Sequence, residues 1–181
     1  MKTLGFFVAV FGLVFISTLA YAEDITIEML NKDQMDLVIN YSKLNNYESL
    51  PTLFFEFHGS EESNKESIKI VEELSKNNGG SDFKWAESLE DRNKLWQARH
   101  DCYYSVKAQG NNFKVYSTDV CVPISNLVEC INFTEKEIKK LGLKAPMVGH
   151  VGDGNFHAQL LIHPDVCEGK FQNQKFQKCR Q

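Results

Sequence analysis

The chain of 181 residues has no basic excess: 20 Lys and Arg stand against 24 Asp and Glu, for a formal charge of −4. That balance excludes a nucleic-acid binder of the usual kind, which needs a basic face to neutralise phosphates. There is no C-x-x-C pair among the five cysteines, and their odd number leaves at least one unpaired within the chain. A densely disulfide-stapled secreted module is therefore excluded. No repeat and no low-complexity linker interrupts the sequence, and outside the N-terminus no run is apolar enough to cross a bilayer. What is present is ordinary for a globular domain, 43% hydrophobic and 24% charged residues, which excludes wholesale disorder.

The one long apolar run is at the start. Residues 1–22 open with Lys2, continue from Leu4 to Ile16 without a charge, and end in Ala20-Tyr21-Ala22 before Glu23 and Asp24. This is the layout of a secretory signal with cleavage expected after Ala22, the alternative being an uncleaved membrane anchor. The segment contains no Arg, unlike a mitochondrial transit peptide. A secretory leader conflicts with cysteine use that suits an intracellular protein. Asn40-Tyr41-Ser42 and Asn132-Phe133-Thr134 are sequons of a kind that also arises by chance.

Beyond the leader, helix-like and strand-like stretches alternate. Helices are expected over 33–44, 61–76, 90–107 and 125–141, and strands over 53–58, 82–87, 114–122, 147–150 and 156–162. The result is an α+β domain with a largely antiparallel sheet covered by helices on one face. Residues 165–181 form a polar tail without pattern, so the domain is expected to be incomplete at its C-terminus.

Chemistry concentrates in Gly149-His150-Val151-Gly152-Asp153-Gly154-Asn155-Phe156-His157. Two histidines flank a glycine-containing turn, and if that turn joins two strands they face one point, as ligands of Zn²⁺, Mn²⁺ or Fe²⁺ would. On spacing alone, a hairpin turn with two surface or hydrogen-bonded core histidines is the commoner reading, because isolated His pairs are common. Arg99, in Leu95-Trp96-Gln97-Ala98-Arg99-His100, could offer a guanidinium fork to a carboxylate or simply be a solvated helical residue. Lys114, at a strand start, is ambiguous in the same way.

These segments, with Pro51 to Ser60 and Tyr116 to Ser125, occur in the order found in a known family. From about Ile27 to about Pro164 the chain closely resembles the C-terminal half of the FAD-linked oxidases, in particular the cytochrome-linked D-lactate dehydrogenases. D-2-hydroxyglutarate dehydrogenase and the glycolate oxidase D subunit are related. The resemblance implies a ferredoxin-like substrate or cap domain over residues 23–164. It implies an enzyme that oxidises D-lactate or a related D-2-hydroxy acid to the 2-oxo acid, passing hydride to FAD and electrons to cytochrome c or a quinone.

By the same resemblance His150 and His157 are ligands of a divalent metal, Zn or Mn, while Arg99, Lys114 and Asn155 bind substrate. The family's flavin-binding domain and its downstream segment, which carries a third metal ligand and the general base, have no counterpart in this sequence. No catalytic base is therefore assigned, and the chain is expected to be a fragment, inactive alone. The alternatives are a secreted, non-catalytic binding module and a subunit that docks on a separate flavin-binding chain. The resemblance points to mitochondria and the leader to secretion, with membrane contact expected only if the leader is uncleaved.

Overall fold

The structure, a computed structural model, describes residues 3–8, 25–44, 47–80, 84–86, 88–110 and 113–162. The expected cleavage point after Ala22 and the polar tail lie outside the described residues. The elements in chain order are β1 (Thr3–Val8), β2 (Ile25–Leu30), α1 (Lys32–Ser42), β3 (Thr52–Phe57), α2 (Glu61–Asn77), β4 (Lys84–Trp85) and α3 (Leu89–His100). They continue with α4 (Cys102–Lys107), β5 (Lys114–Ser117), β6 (Val120–Cys121), α5 (Ile124–Lys140), β7 (Met147–Gly149), a 3₁₀ turn (Val151–Asp153) and β8 (Asn155–Ile162). The expected α+β class holds: the strands form one sheet in the order β4-β1-β3-β2-β7-β8-β5, with β6 also on β8. All pairings are antiparallel.

The helices start where side chains satisfy free backbone N–H groups. Asn31, Ser60 and Ser88 each accept from the backbone N–H three residues on, capping α1, α2 and α3. Asn31 does more, because its Oδ1 also accepts from Met147 N at 2.9 Å while its own N–H donates to Met147 O at 3.0 Å. One residue thus ends β2, starts α1 and ties β7 alongside β2. The expected helix over 90–107 is two helices that share Asp101 as C-cap and N-cap.

Helices cover both faces of the sheet, which corrects the expectation of one. Successive side chains on a strand point to opposite faces, and β3 is buried along its whole length. Its Leu53, Phe55 and Phe57 pack with Ile27 and Met29 against Val71 of α2 and Leu127 and Ile131 of α5. Phe54 and Leu30 point the other way, to Met35 and Val38 of α1, Leu95 and Ala98 of α3, and Cys102 of α4. Each large apolar side chain so buried contributes about 1.5–3 kcal/mol. The N-terminal apolar segment also enters the sheet, since Thr3–Val8 runs beside β3 from Thr3↔Phe57 to Val8↔Thr52. Among the described residues, no helix is long and apolar enough to cross a membrane.

Candidate functional site

The pocket grows from the register of β2 against β7. Met29 faces Gly149 and Leu30 faces Val148, so one step further Glu28 meets His150. β7 and β8 are joined by the 3₁₀ turn, and Val148 faces His157, which brings both histidines to the same end of the sheet. Their rings lie 6.2 Å apart between centroids, edge to face. The turn depends on Gly154, whose φ of 74° lies in the left-handed region and whose position leaves no room for a Cβ, which would stand 2.1 Å from Val122 O.

Each histidine is held through Nδ1. His150 Nδ1 lies 2.5 Å from Glu28 Oε1. His157 Nδ1 lies 3.0 Å from the carbonyl of Thr118, and a carbonyl can only accept, so His157 donates from Nδ1. That carbonyl is available because the Thr118 hydroxyl takes its place in the strand ladder, accepting from Ala158 N at 2.9 Å. A neutral imidazole that donates from Nδ1 keeps a lone pair on Nε2, the state in which histidine ligates a metal.

Glu28 was not among the residues singled out from the sequence. It is 3% exposed, and its second oxygen, Oε2, accepts from Arg99 Nε at 2.8 Å. An ionised carboxylate buried this deeply requires such partners. Because the bond uses Nε, the terminal nitrogens of Arg99 are not committed to Glu28. Arg92, seven residues earlier on α3 and so on the same helix face, makes the equivalent pair with Glu56 of β3. The signal for both glutamates was a single charge inside an otherwise apolar strand.

Arg99, His150 and His157 line one pocket of about 240 Å³ together with Ser117, Tyr103 and Gln159. Ordinary small-molecule sites are about 300–1,000 Å³, so this one suits a compact ligand. Gln159 is 3% exposed and its Oε1 has no hydrogen-bond partner, an unmet acceptor beside the histidines. Cys102 also borders the pocket, but burial pushes its thiol up to about 12, so it stays protonated and is neither a thiolate ligand nor a nucleophile near neutral pH.

Two expected substrate residues are not brought in. Lys114 is exposed. Ser117 and its cross-strand partner Gln159 line the pocket, and Lys114, three residues from Ser117 and opposite Ile162, points to the other face. Asn155 does not line the pocket either, although its Nδ2 donates to Asp119 Oδ1 at 2.9 Å and the same oxygen lies 3.6 Å from His157 Nδ1. Among the described residues no cluster of three or more His, Cys, Asp or Glu side chains could hold a metal, so the histidines stand as a pair.

The sequence profile of the FAD linked oxidases, C-terminal domain, matches residues 16–173. The chain belongs to that family. Over 133 residues this FAD-linked oxidase domain is 47% identical to the probable mitochondrial D-lactate dehydrogenase of Danio rerio, covering 72% of the chain and 27% of that protein. Over 138 residues it is 36% identical to the mitochondrial cytochrome D-lactate dehydrogenase of Arabidopsis thaliana, covering 76% of the chain and 24% of that protein. The chain thus spans about a quarter of the length of the curated relatives it matches.

Solved structures with the same fold include p-cresol methylhydroxylase with bound substrate, with a TM-score of 0.59 at 9% identity, covering 92% of this chain and 39% of that one. Alkyldihydroxyacetonephosphate synthase gives a TM-score of 0.57 at 13% identity, covering 92% of this chain and 36% of that one.

Proposed function

We propose that this FAD-linked oxidase domain binds D-lactate or a related small D-2-hydroxy acid for a mitochondrial, FAD-dependent dehydrogenase that yields the 2-oxo acid and passes electrons to cytochrome c or a quinone. The observation that carries the reading is the meeting of Arg99 with two histidines whose Nδ1 atoms are both engaged inside the fold. Arg99 grips the substrate carboxylate with the terminal nitrogens that Glu28 does not engage, a charge-assisted contact stronger than a neutral one. The unmet Oε1 of Gln159 accepts from the substrate hydroxyl.

The two Nε2 lone pairs fit a divalent cation, Zn or Mn, with His150 and His157 as its protein ligands in this chain. When bound, such an ion acts as a Lewis acid that favours the ionised form of a substrate hydroxyl. FAD does not fit a pocket of about 240 Å³, so its binding is assigned to a different domain. On this reading the chain alone does not turn over D-lactate.

The test is a residue-resolved NMR titration of the whole chain with D-lactate in the presence of Zn²⁺. The side-chain signals of Arg99, His150 and His157 shift together and saturate if the reading is right. Shifts confined to surface lysines, or none at millimolar D-lactate, overturn it.

A further inference from the structure

Glu28 sits beneath the pocket rather than in it, and its two oxygens serve different partners. Oε2 accepts from Arg99 Nε at 2.8 Å, and Oε1 lies 2.5 Å from His150 Nδ1. We propose that Glu28 is a positioning residue that joins the two halves of the pocket, holding His150 in the tautomer with a bare Nε2 and fixing the direction of the Arg99 guanidinium. This deepens the reading above and rests on it for what His150 and Arg99 bind, but not for how they are held.

The chemistry of the three groups makes the arrangement close to obligatory. Arg99 can only donate, and an ionised carboxylate can only accept. Neutral His150 can do either through Nδ1, depending on its tautomer, so the acceptor beneath it decides which nitrogen carries the hydrogen. The exposure of the side chains fits this order: Glu28 is 4% exposed, Arg99 13% and His150 51%, so the carboxylate is the fixed base and the imidazole its outward arm. Among the described residues no other carboxylate pairs with either partner.

A matched control lies one strand away. Glu56 of β3 is likewise buried, pairs with Arg92, and has His58 Nε2 at 3.7 Å. Neither Arg92 nor His58 lines the pocket. The two glutamates share burial and an arginine partner from α3, so loss of either tests the same kind of structural damage. Loss of Glu28 alone reaches the pocket.

Glu28→Gln then has a specific outcome. The amide has one acceptor oxygen, and Arg99, with nothing but donors, takes it. The amide NH₂ is left facing His150 Nδ1, which must now accept, so the ring hydrogen moves to Nε2. The variant has almost the same size as the native residue but presents N–H where a metal ligand needs a lone pair.

The experiment uses the whole chain, free of metal, at mildly alkaline pH. Long-range ¹H–¹⁵N spectra assign the tautomer of His150 in the native chain, Glu28→Gln and Glu56→Gln, and Zn²⁺ affinity is then measured by competition with a chelator. The expected result is Nδ1–H in the native chain and Glu56→Gln, Nε2–H in Glu28→Gln, and a roughly 10- to 100-fold loss of Zn²⁺ affinity in Glu28→Gln alone, the range typical when a group that orients a metal-binding histidine is lost.

A native His150 that carries its hydrogen on Nε2 overturns the proposal, whether or not any variant folds. So does a folded Glu28→Gln chain with native tautomer and native Zn²⁺ affinity. If the tautomer switches as expected but no chain binds Zn²⁺, the positioning role stands and the metal reading above falls.

Discussion

Gly154 offers a sharp test of how the pocket is built. Its φ of 74° and a would-be Cβ only 2.1 Å from Val122 O impose two separate penalties on Gly154→Ala. Gly142, just after α5, has a φ of 67° but nothing within 4 Å of its would-be Cβ, so Gly142→Ala carries the conformational penalty alone, about 1–2 kcal/mol. A contact at 2.1 Å cannot be absorbed by a side-chain rotation, because the obstacle is backbone. The β6 segment must move away, which breaks the bond from Val122 N to Gly154 O, 3.0 Å in the native fold.

With the lost backbone bond worth about 1 kcal/mol and residual strain of about 1–3 kcal/mol added, Gly154→Ala should cost about 3–6 kcal/mol. Urea unfolding monitored by the two tryptophans gives both values. In a domain of this size a loss of 3 kcal/mol is a drop in Tm of about 6–12 °C. Equal losses for the two variants would refute the close-approach argument, and with it the geometry that brings His150 and His157 together.

Further outcomes follow from the same structure. Arg99→Lys keeps the charge but loses the planar fork and the Nε bond to Glu28, so D-lactate binding by the whole chain should weaken about 10-fold or more by calorimetry; unchanged affinity would remove Arg99 from the site. Burial pushes the Cys102 thiol from 9.0 to about 12, so the fold favours its neutral form. That contribution is intact below about pH 9, where folded and unfolded chains are both protonated, and is lost as the pH climbs towards 12. Denaturation at stepped alkaline pH should therefore show a decline that is shallower in Cys102→Ala, whereas identical slopes would contradict the assignment. Deleting residues 1–22 removes β1 and bares the edge of β3, which should lower Tm by roughly 5 °C and promote association in light scattering; an equally stable monomer would show that β1 contributes nothing to the sheet.

The sequence was most readable where local signals agreed with the final packing. Helices α2 and α5 were placed to within a residue or so because an apolar stripe coincides with clear ends. The histidine turn was found because glycines flank it. The strand β2 was overlooked: Ile25–Leu30 closely follows the N-terminal apolar run, and Glu28 interrupts its apolar pattern. Its burial is explained only by Arg99 and His150, which lie 71 and 122 residues away in sequence.

The same dependence on distant partners decides Lys114. A strand-end lysine faces a pocket or turns from it according to register, and the register of β5 is set by β8, not by β5 itself. The helices on both faces were foreshadowed in Leu53-Phe54-Phe55, since a continuous apolar run marks a strand buried on both sides. The break at Asp101 has no glycine or proline to announce it.

The proposed role of His150 and His157 as the metal-binding half of a small-acid pocket is tested most directly by Mn²⁺ binding. Free Mn²⁺ gives an intense electron paramagnetic resonance signal that broadens away on binding, so titrating Mn²⁺ into the whole chain counts sites directly. One site per chain is expected, tightened by added D-lactate and lost in both His150→Ala and His157→Ala. An undiminished Mn²⁺ signal with the native chain, with or without D-lactate, or equal binding by the two variants, would contradict it.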